Sequence, residues 1–141
     1  LDRLAGEHDR MSADDFADAL AHTLEKRNCM LKLMSMNLYD MEGNSRMENL
    51  VAFKVVYADA LRAVSCCLEK FFTGMTVNDI QEFLYAFFPF LFGVYPYTTA
   101  TDKQKEAMEF AQVNYAQYSI YEIVKSFVTK MLKSYSYQKK I

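Results

Sequence analysis

Apolar residues recur at helical spacing along most of the chain. Between Ser45 and Phe72, Leu50, Phe53, Tyr57, Leu61, Val64, Leu68 and Phe71 follow one another at alternating steps of three and four. That repeat lines one face of an α-helix. Lys54, Arg62 and Glu69 fall on other faces. At the α-helical rise such a helix runs roughly 40 Å. A band of small residues (Ala52, Ala60, Ala63, Cys67) flanks the stripe and lets a neighbour approach closely, so this segment is expected to be a central, multi-sided helix.

Polar punctuation divides the rest. Leu1–Arg10 reads as the tail of a helix that begins earlier. Ser12 is placed as an N-cap with Asp14 and Asp15 in the first turn, and Phe16, Ala19, Leu20, Thr23 and Leu24 follow at helical spacing. A short helix from Asn28 to about Tyr39 carries Met30, Leu31, Met34 and Leu38 before Glu42-Gly43-Asn44-Ser45 breaks it. Gly74 is the expected C′ residue of the long helix. Thr76 and Asp79 form a capping box, as do Ser119 and Glu122 ahead of Ile123, Val124, Phe127, Val128, Met131, Leu132 and Tyr135. Asp102 to about Phe110 reads as a short charged helix or a partly ordered excursion.

The segment after Thr76 is unusual. Of the chain's 21 aromatic residues, eight lie between Phe83 and Tyr97, and they point all round a helix. Such a helix must be buried on every side. Pro89 removes one backbone hydrogen bond and is expected to kink it, and Tyr95-Pro96-Tyr97 is expected to end it.

With 141 residues, 52% hydrophobic, 24% charged, four Gly and two Pro, the chain fits one all-α globular domain spanning 1–141. The net charge of −2 conceals an asymmetry: residues 1–27 carry seven acidic and four basic side chains, whereas 119–141 carry one and five. Lys125, Lys130, Lys133, Lys139 and Lys140 read as a solvated helix end rather than a nucleic-acid surface. The apolar run of 83–94 is too short to span a bilayer. Three Cys without CxxC spacing imply reduced thiols and a cytoplasmic setting, with no metal site.

No catalytic residue is assigned. His8 and His22 sit on different segments, and neither a nucleophile elbow nor a phosphate-cradling loop occurs, so an enzyme is not expected. No cofactor is implied. What remains is a binding inventory. Met30, Met34, Tyr57, Tyr85 and Tyr95 suit the wall of a cavity with an apolar body and a few polar tips, together with Phe53, Leu61, Phe88 and Phe92 on the same helices. The aromatic helix and the last helix are expected to form a four-helix interface with a second copy through Phe83, Phe87, Phe90, Tyr121, Val124, Val128 and Leu132. A helical protein–protein adaptor without a small-molecule ligand is the alternative.

The order of these features resembles the C-terminal region of TetR-family transcriptional regulators. The resemblance spans essentially the whole chain. It is carried by the helix start Ser12-Ala13-Asp14-Asp15-Phe16-Ala17-Asp18-Ala19-Leu20, by Leu50-Val51-Ala52-Phe53-Lys54, and by Phe92-Gly93-Val94-Tyr95-Pro96. It implies a helical bundle that binds a small apolar or amphipathic effector and forms a homodimer through its last two long helices. It also implies a parent protein, a repressor, whose N-terminal helix-turn-helix contacts operator DNA and joins through the helix ending in Leu1–Arg10.

Overall fold

The computed structural model describes residues 1–36 and 43–137. Among these it contains seven helices and no strand: α1 (Asp2–Glu7), α2 (Ala13–Glu25), α3 (Asn28–Ser35), α4 (Met47–Phe71), α5 (Val77–Thr98), α6 (Asp102–Phe110) and α7 (Ile120–Tyr137). The all-α class follows from the helical repeat. The expected extension of α3 through Leu38 and Tyr39, the start of the break at Glu42, and Lys139 and Lys140 lie outside the described residues.

Local chemistry places the helix starts where the sequence puts them. The Ser12 hydroxyl accepts from the Asp15 N–H at 3.1 Å. At α5 the Asp79 N–H donates to Thr76 Oγ1 (3.2 Å) and the Thr76 N–H donates back to the Asp79 carboxylate (2.6 Å). Ser119 and Glu122 repeat the arrangement ahead of α7, and Thr101 with Gln104 does so ahead of α6. Each box satisfies orphan N–H groups of a first turn. α6 is therefore a capped helix rather than an irregular excursion.

Two helix ends differ from expectation. α4 closes at Phe72, and the Met75 N–H then bonds the Phe72 carbonyl at 2.8 Å. No glycine among the described residues has positive φ, so Gly74 serves in a turn and not as a left-handed cap. α5 runs through both Pro89 and Pro96 to Thr98. Thr98 Oγ1 donates to the carbonyls of Val94 and Tyr95, each at 3.1 Å, which occupies acceptors in the last turn.

The core is one cluster in which α5 is the common partner. Its Phe83, Phe87, Phe88, Leu91 and Val94 are buried, and it packs against α3, α4 and α7. α2 and α7 form the most extensive helix pair. Phe16, Ala17, Leu20, Ala21 and Leu24 of α2 and Ile120, Val124, Val128 and Leu132 of α7 are all buried. The α4 expectation is corrected. Only Val64, Cys67 and Leu68 of this helix are buried, whereas Met47, Val51, Val55 and Val56 are exposed. Among the described residues α4 meets α1 and α5 in extended contact, and of its small-residue band only Cys67 is buried. α1 is held to α4 where Lys70 Nζ donates to the Ala5 carbonyl at 2.6 Å.

Polar contacts set the direction of the α2–α7 pair. Asp18 accepts from Lys125 Nζ at 2.5 Å and from the Tyr121 hydroxyl at 2.6 Å. Lys133 pairs with Asp14 at 2.8 Å. The partners run in opposite order along the two helices, so the helices are antiparallel. The opposite charges at the two ends of the chain thus meet. Lys125 and Lys133 hold α2, and Asp18 acts between helices rather than on its own helix dipole. His22 lies over the Tyr121 ring, with centroids 4.4 Å apart, and its nitrogens approach Asp18 and Glu25 at 3.7 and 3.5 Å.

The hydrogen bond from Lys125, with that from Tyr121, holds the Asp18 carboxyl below its ordinary value. The same contact raises Lys125 above the usual ammonium range. A carboxylate depressed in the folded state stabilises the fold above its unfolded pKa, and that contribution is lost as pH falls through the folded value. A raised ammonium contributes fully below its unfolded pKa and is lost only at strongly alkaline pH. Thermal melts are therefore expected to show Asp18→Asn less stable than the parent at neutral pH, with the gap closing as acid takes Asp18 through its lowered range. A gap that persists undiminished in acid contradicts this assignment.

Candidate ligand-binding site

The cavity lies where α4 does not close on its neighbours. Phe53, Tyr57, Ala60, Ala63 and Val64 of α4 form one wall, and Phe87, Phe88, Leu91 and Phe92 of α5 form another. Leu20, Thr23 and Leu24 of α2, with Met30 and Met34 of α3, complete it, and Leu1 and Asp2 at the start of α1 also contribute. The volume is about 380 Å³, within the range of small-molecule sites. Phe53 and Tyr57 are half-buried and line the space.

An aromatic cluster stiffens the wall. Tyr57 meets Phe88 edge-on at 5.3 Å between centroids and Phe92 at 6.4 Å, and lies nearly parallel to Phe53 at 6.4 Å. Phe88 in turn meets Phe87 edge-on at 5.8 Å. Polar groups are few. Thr23 Oγ1 donates to the Ala19 carbonyl at 2.8 Å, and Arg27 Nη1 donates to the Thr23 carbonyl at 3.0 Å. Phe53, Tyr57 and Phe92 are shared with an adjoining recess of about 500 Å³, which Lys54, Pro89 and Gly93 also line.

The structure brings together Met30, Met34, Phe53, Tyr57, Phe88 and Phe92 of the residues that sequence reasoning proposed for a ligand. Three are placed elsewhere. Tyr85 is 84% exposed and does not line the cavity. Leu61 lines a separate recess between α4 and α5. Tyr95 packs half-buried against the core without lining the cavity. Sequence reasoning passed over Thr23, Arg27, Ala63 and Val64. Ala63 belongs to the small-residue band, which was a usable signal.

The residues expected at a dimer interface are largely used within the chain. Phe83, Phe87, Val124, Val128 and Leu132 are at most 2% exposed in the single copy and have no surface to offer a second one. The reason is that the i, i+4 stripe of α7 faces α2. Tyr121 is half-buried and bonds Asp18. Phe90 keeps part of its surface and stacks on Phe127, with centroids 4.2 Å apart and planes 5° from parallel.

A larger groove of about 930 Å³ runs beside Phe90 and Ile123 between α5, α6 and residues 111–119. Seven of its fifteen lining residues, Tyr97, Val113 and Tyr118 among them, are exposed. Its one buried lining residue is Val94, whereas the smaller space, itself partly open to solvent, is backed by buried Leu20, Leu24, Val64, Phe87, Phe88 and Leu91. Among the described residues no group of three or more His, Cys, Asp or Glu is placed to hold a metal ion, and no helix is long and apolar enough to cross a membrane. Burial pushes the Cys67 thiol up, away from nucleophilic reactivity.

A helical domain with an apolar cavity between its helices is the setting in which the family comparison is read. The family model described as "Tetracyclin repressor-like, C-terminal domain" matches residues 1–133. The chain belongs to this family. No curated protein and no solved structure matches the chain. Tetracyclin repressor-like C-terminal domains belong to regulators, in which they generally serve ligand binding and dimerisation. The α1 segment is included in the matched span.

The wall residues differ in what they support. Phe88 is buried and holds Tyr57, whereas Phe53 is half-buried at the edge of the space. Phe88→Ala is expected to cost about 3–5 kcal/mol in urea unfolding, and Phe53→Ala markedly less. Equal losses would contradict a cavity beneath Phe53.

Proposed function

We propose that the cavity between α2, α3, α4 and α5 binds a small apolar or amphipathic effector, and that the chain is the sensing and dimerising part of a transcriptional repressor. Operator DNA is contacted by a helix-turn-helix domain joined on the Leu1 side. The observation that carries this reading is the cavity itself: a family member whose core leaves an apolar space lined from four helices and from the start of α1.

Contact of Leu1 and Asp2 with the same space supports a coupling between occupancy and whatever α1 connects to. Such coupling can be no larger than the ligand's differential affinity for the two arrangements. The dimer is proposed to use the outward side of α5 and α7, where Phe90, Ile123, Phe127 and Met131 are half-buried in the single chain. An apolar strip of this kind is what a second copy covers in a twofold helix interface.

Two measurements test the reading. Ala63→Phe fills the space from α4 and is expected to abolish the thermal stabilisation given by apolar small molecules while the far-UV helical signal is retained. A protein with no such stabilisation to lose is an adaptor and not a sensor. Phe127→Lys is expected to shift sedimentation from dimer towards monomer at micromolar concentration, and a parent that is already monomeric there removes the dimer proposal.

A further inference from the structure

One aromatic ring stands where the cavity meets its neighbouring recess, and it bears on ligand length once the cavity is read as an effector site. Two spaces lie along α4 and α5: the inner cavity of about 380 Å³ and the outer recess of about 500 Å³. Phe53, Tyr57 and Phe92 line both, so these three side chains stand between them. Tyr57 meets both of the others, Phe53 nearly parallel and Phe92 tilted, each at 6.4 Å between centroids. Buried Phe88, which lines the inner space, holds the Tyr57 ring edge-on at 5.3 Å.

The recess is left unfilled from the α5 side as well. Gly93 lies in the interior of α5 and lines the recess, and a Cβ there would meet nothing of the surrounding packing within 4 Å. Glycine is less favourable than alanine within a helix, and close packing does not call for it here. Tyr57 thus borders space on two sides, whereas a core ring is close-packed all round.

Two roles for such a ring differ in outcome. A ring that only packs α4 on α5 changes stability when truncated and leaves ligand size alone. A ring between two spaces limits how far an apolar chain can extend. The half-burial of Tyr57 and its place in both linings favour the second. We infer that Tyr57 is the end wall that sets the longest linear apolar or amphipathic ligand the inner cavity takes. Shortening its side chain joins the cavity to the recess, and the two together exceed twice the inner volume.

Isothermal titration with the straight-chain primary alcohols from hexanol to tetradecanol tests this. In the parent, affinity is expected to rise roughly fourfold for each added methylene until the chain fills the cavity, and to level off there. In Tyr57→Ala the break is expected at a longer chain. Tyr57→Leu, which keeps an apolar side chain against Phe88, moves it in the same direction. Adding Gly93→Leu, which fills the recess, brings the break back towards the parent's chain length. The position of the break is the readout that a purely structural ring does not move. The inference is overturned if the parent shows no break, or if the break stays in place in whichever Tyr57 variant is folded by far-UV circular dichroism. A longer break that Gly93→Leu leaves unchanged overturns it too. In each case binding that Ala63→Phe still blocks leaves the effector cavity standing. If no alcohol of the series binds the parent, the effector reading falls and this inference falls with it.

Discussion

An apolar surface extending round most of a helix cannot be covered by one neighbour, and that requirement organises this domain. α5 carries Phe83, Phe87, Phe88, Leu91 and Val94 towards the interior, with Phe90 and Phe92 to either side. Exposing such a surface costs about 25 cal/mol for each Å² of apolar area. α3, α4 and α7 are therefore drawn to different sides of the same helix. α2 completes the assembly by covering α7, whose own stripe would otherwise face solvent.

The arrangement leaves one place incompletely filled. α4 reaches the core through its C-terminal third, at Val64, Cys67 and Leu68, while its preceding turns stand off from α5. The Tyr57, Phe88 and Phe92 rings brace the gap without filling it. A site formed in this way is a property of packing, since its walls are the residues that in a tighter domain would touch. Its position beside α1 also means that the space and the start of the chain share atoms, and no relay of intermediates is needed for one to affect the other.

Electrostatics works on the far side of α2. Asp14 and Asp18 meet Lys133 and Lys125 across the antiparallel pair, half-exposed contacts of the sort that contribute modestly to stability. Their larger effect is on register, because a slip of α7 by one turn would separate both pairs and move Val124, Val128 and Leu132 off their partners. Buried apolar layers and surface charges thus specify the same alignment of α2 with α7, which is the consistency expected of a sequence with a single native state.

The sequence by itself determined the helices, their starts and the class of fold. Those depend on interactions within a few residues: the three–four apolar repeat, the Thr76–Asp79 and Ser119–Glu122 boxes, and the scarcity of Gly and Pro. Periodicity also set Phe53 and Tyr57 on the apolar face of α4, because a stripe marks a side chain as inward-facing. It does not say whether the inward face meets a neighbour, a ligand or a second copy. For that reason Val124, Val128 and Leu132 are expected at an interface from the sequence although they pack beneath α2, and Tyr85 is expected in the wall although it is exposed and outside the lining. Likewise the acidic start and basic end of the chain were visible at once, but only the antiparallel packing of α2 on α7 joined them. The aromatic helix had to be buried on the strength of its composition alone; which neighbour buried each side was decided by long-range packing, which no local pattern encodes.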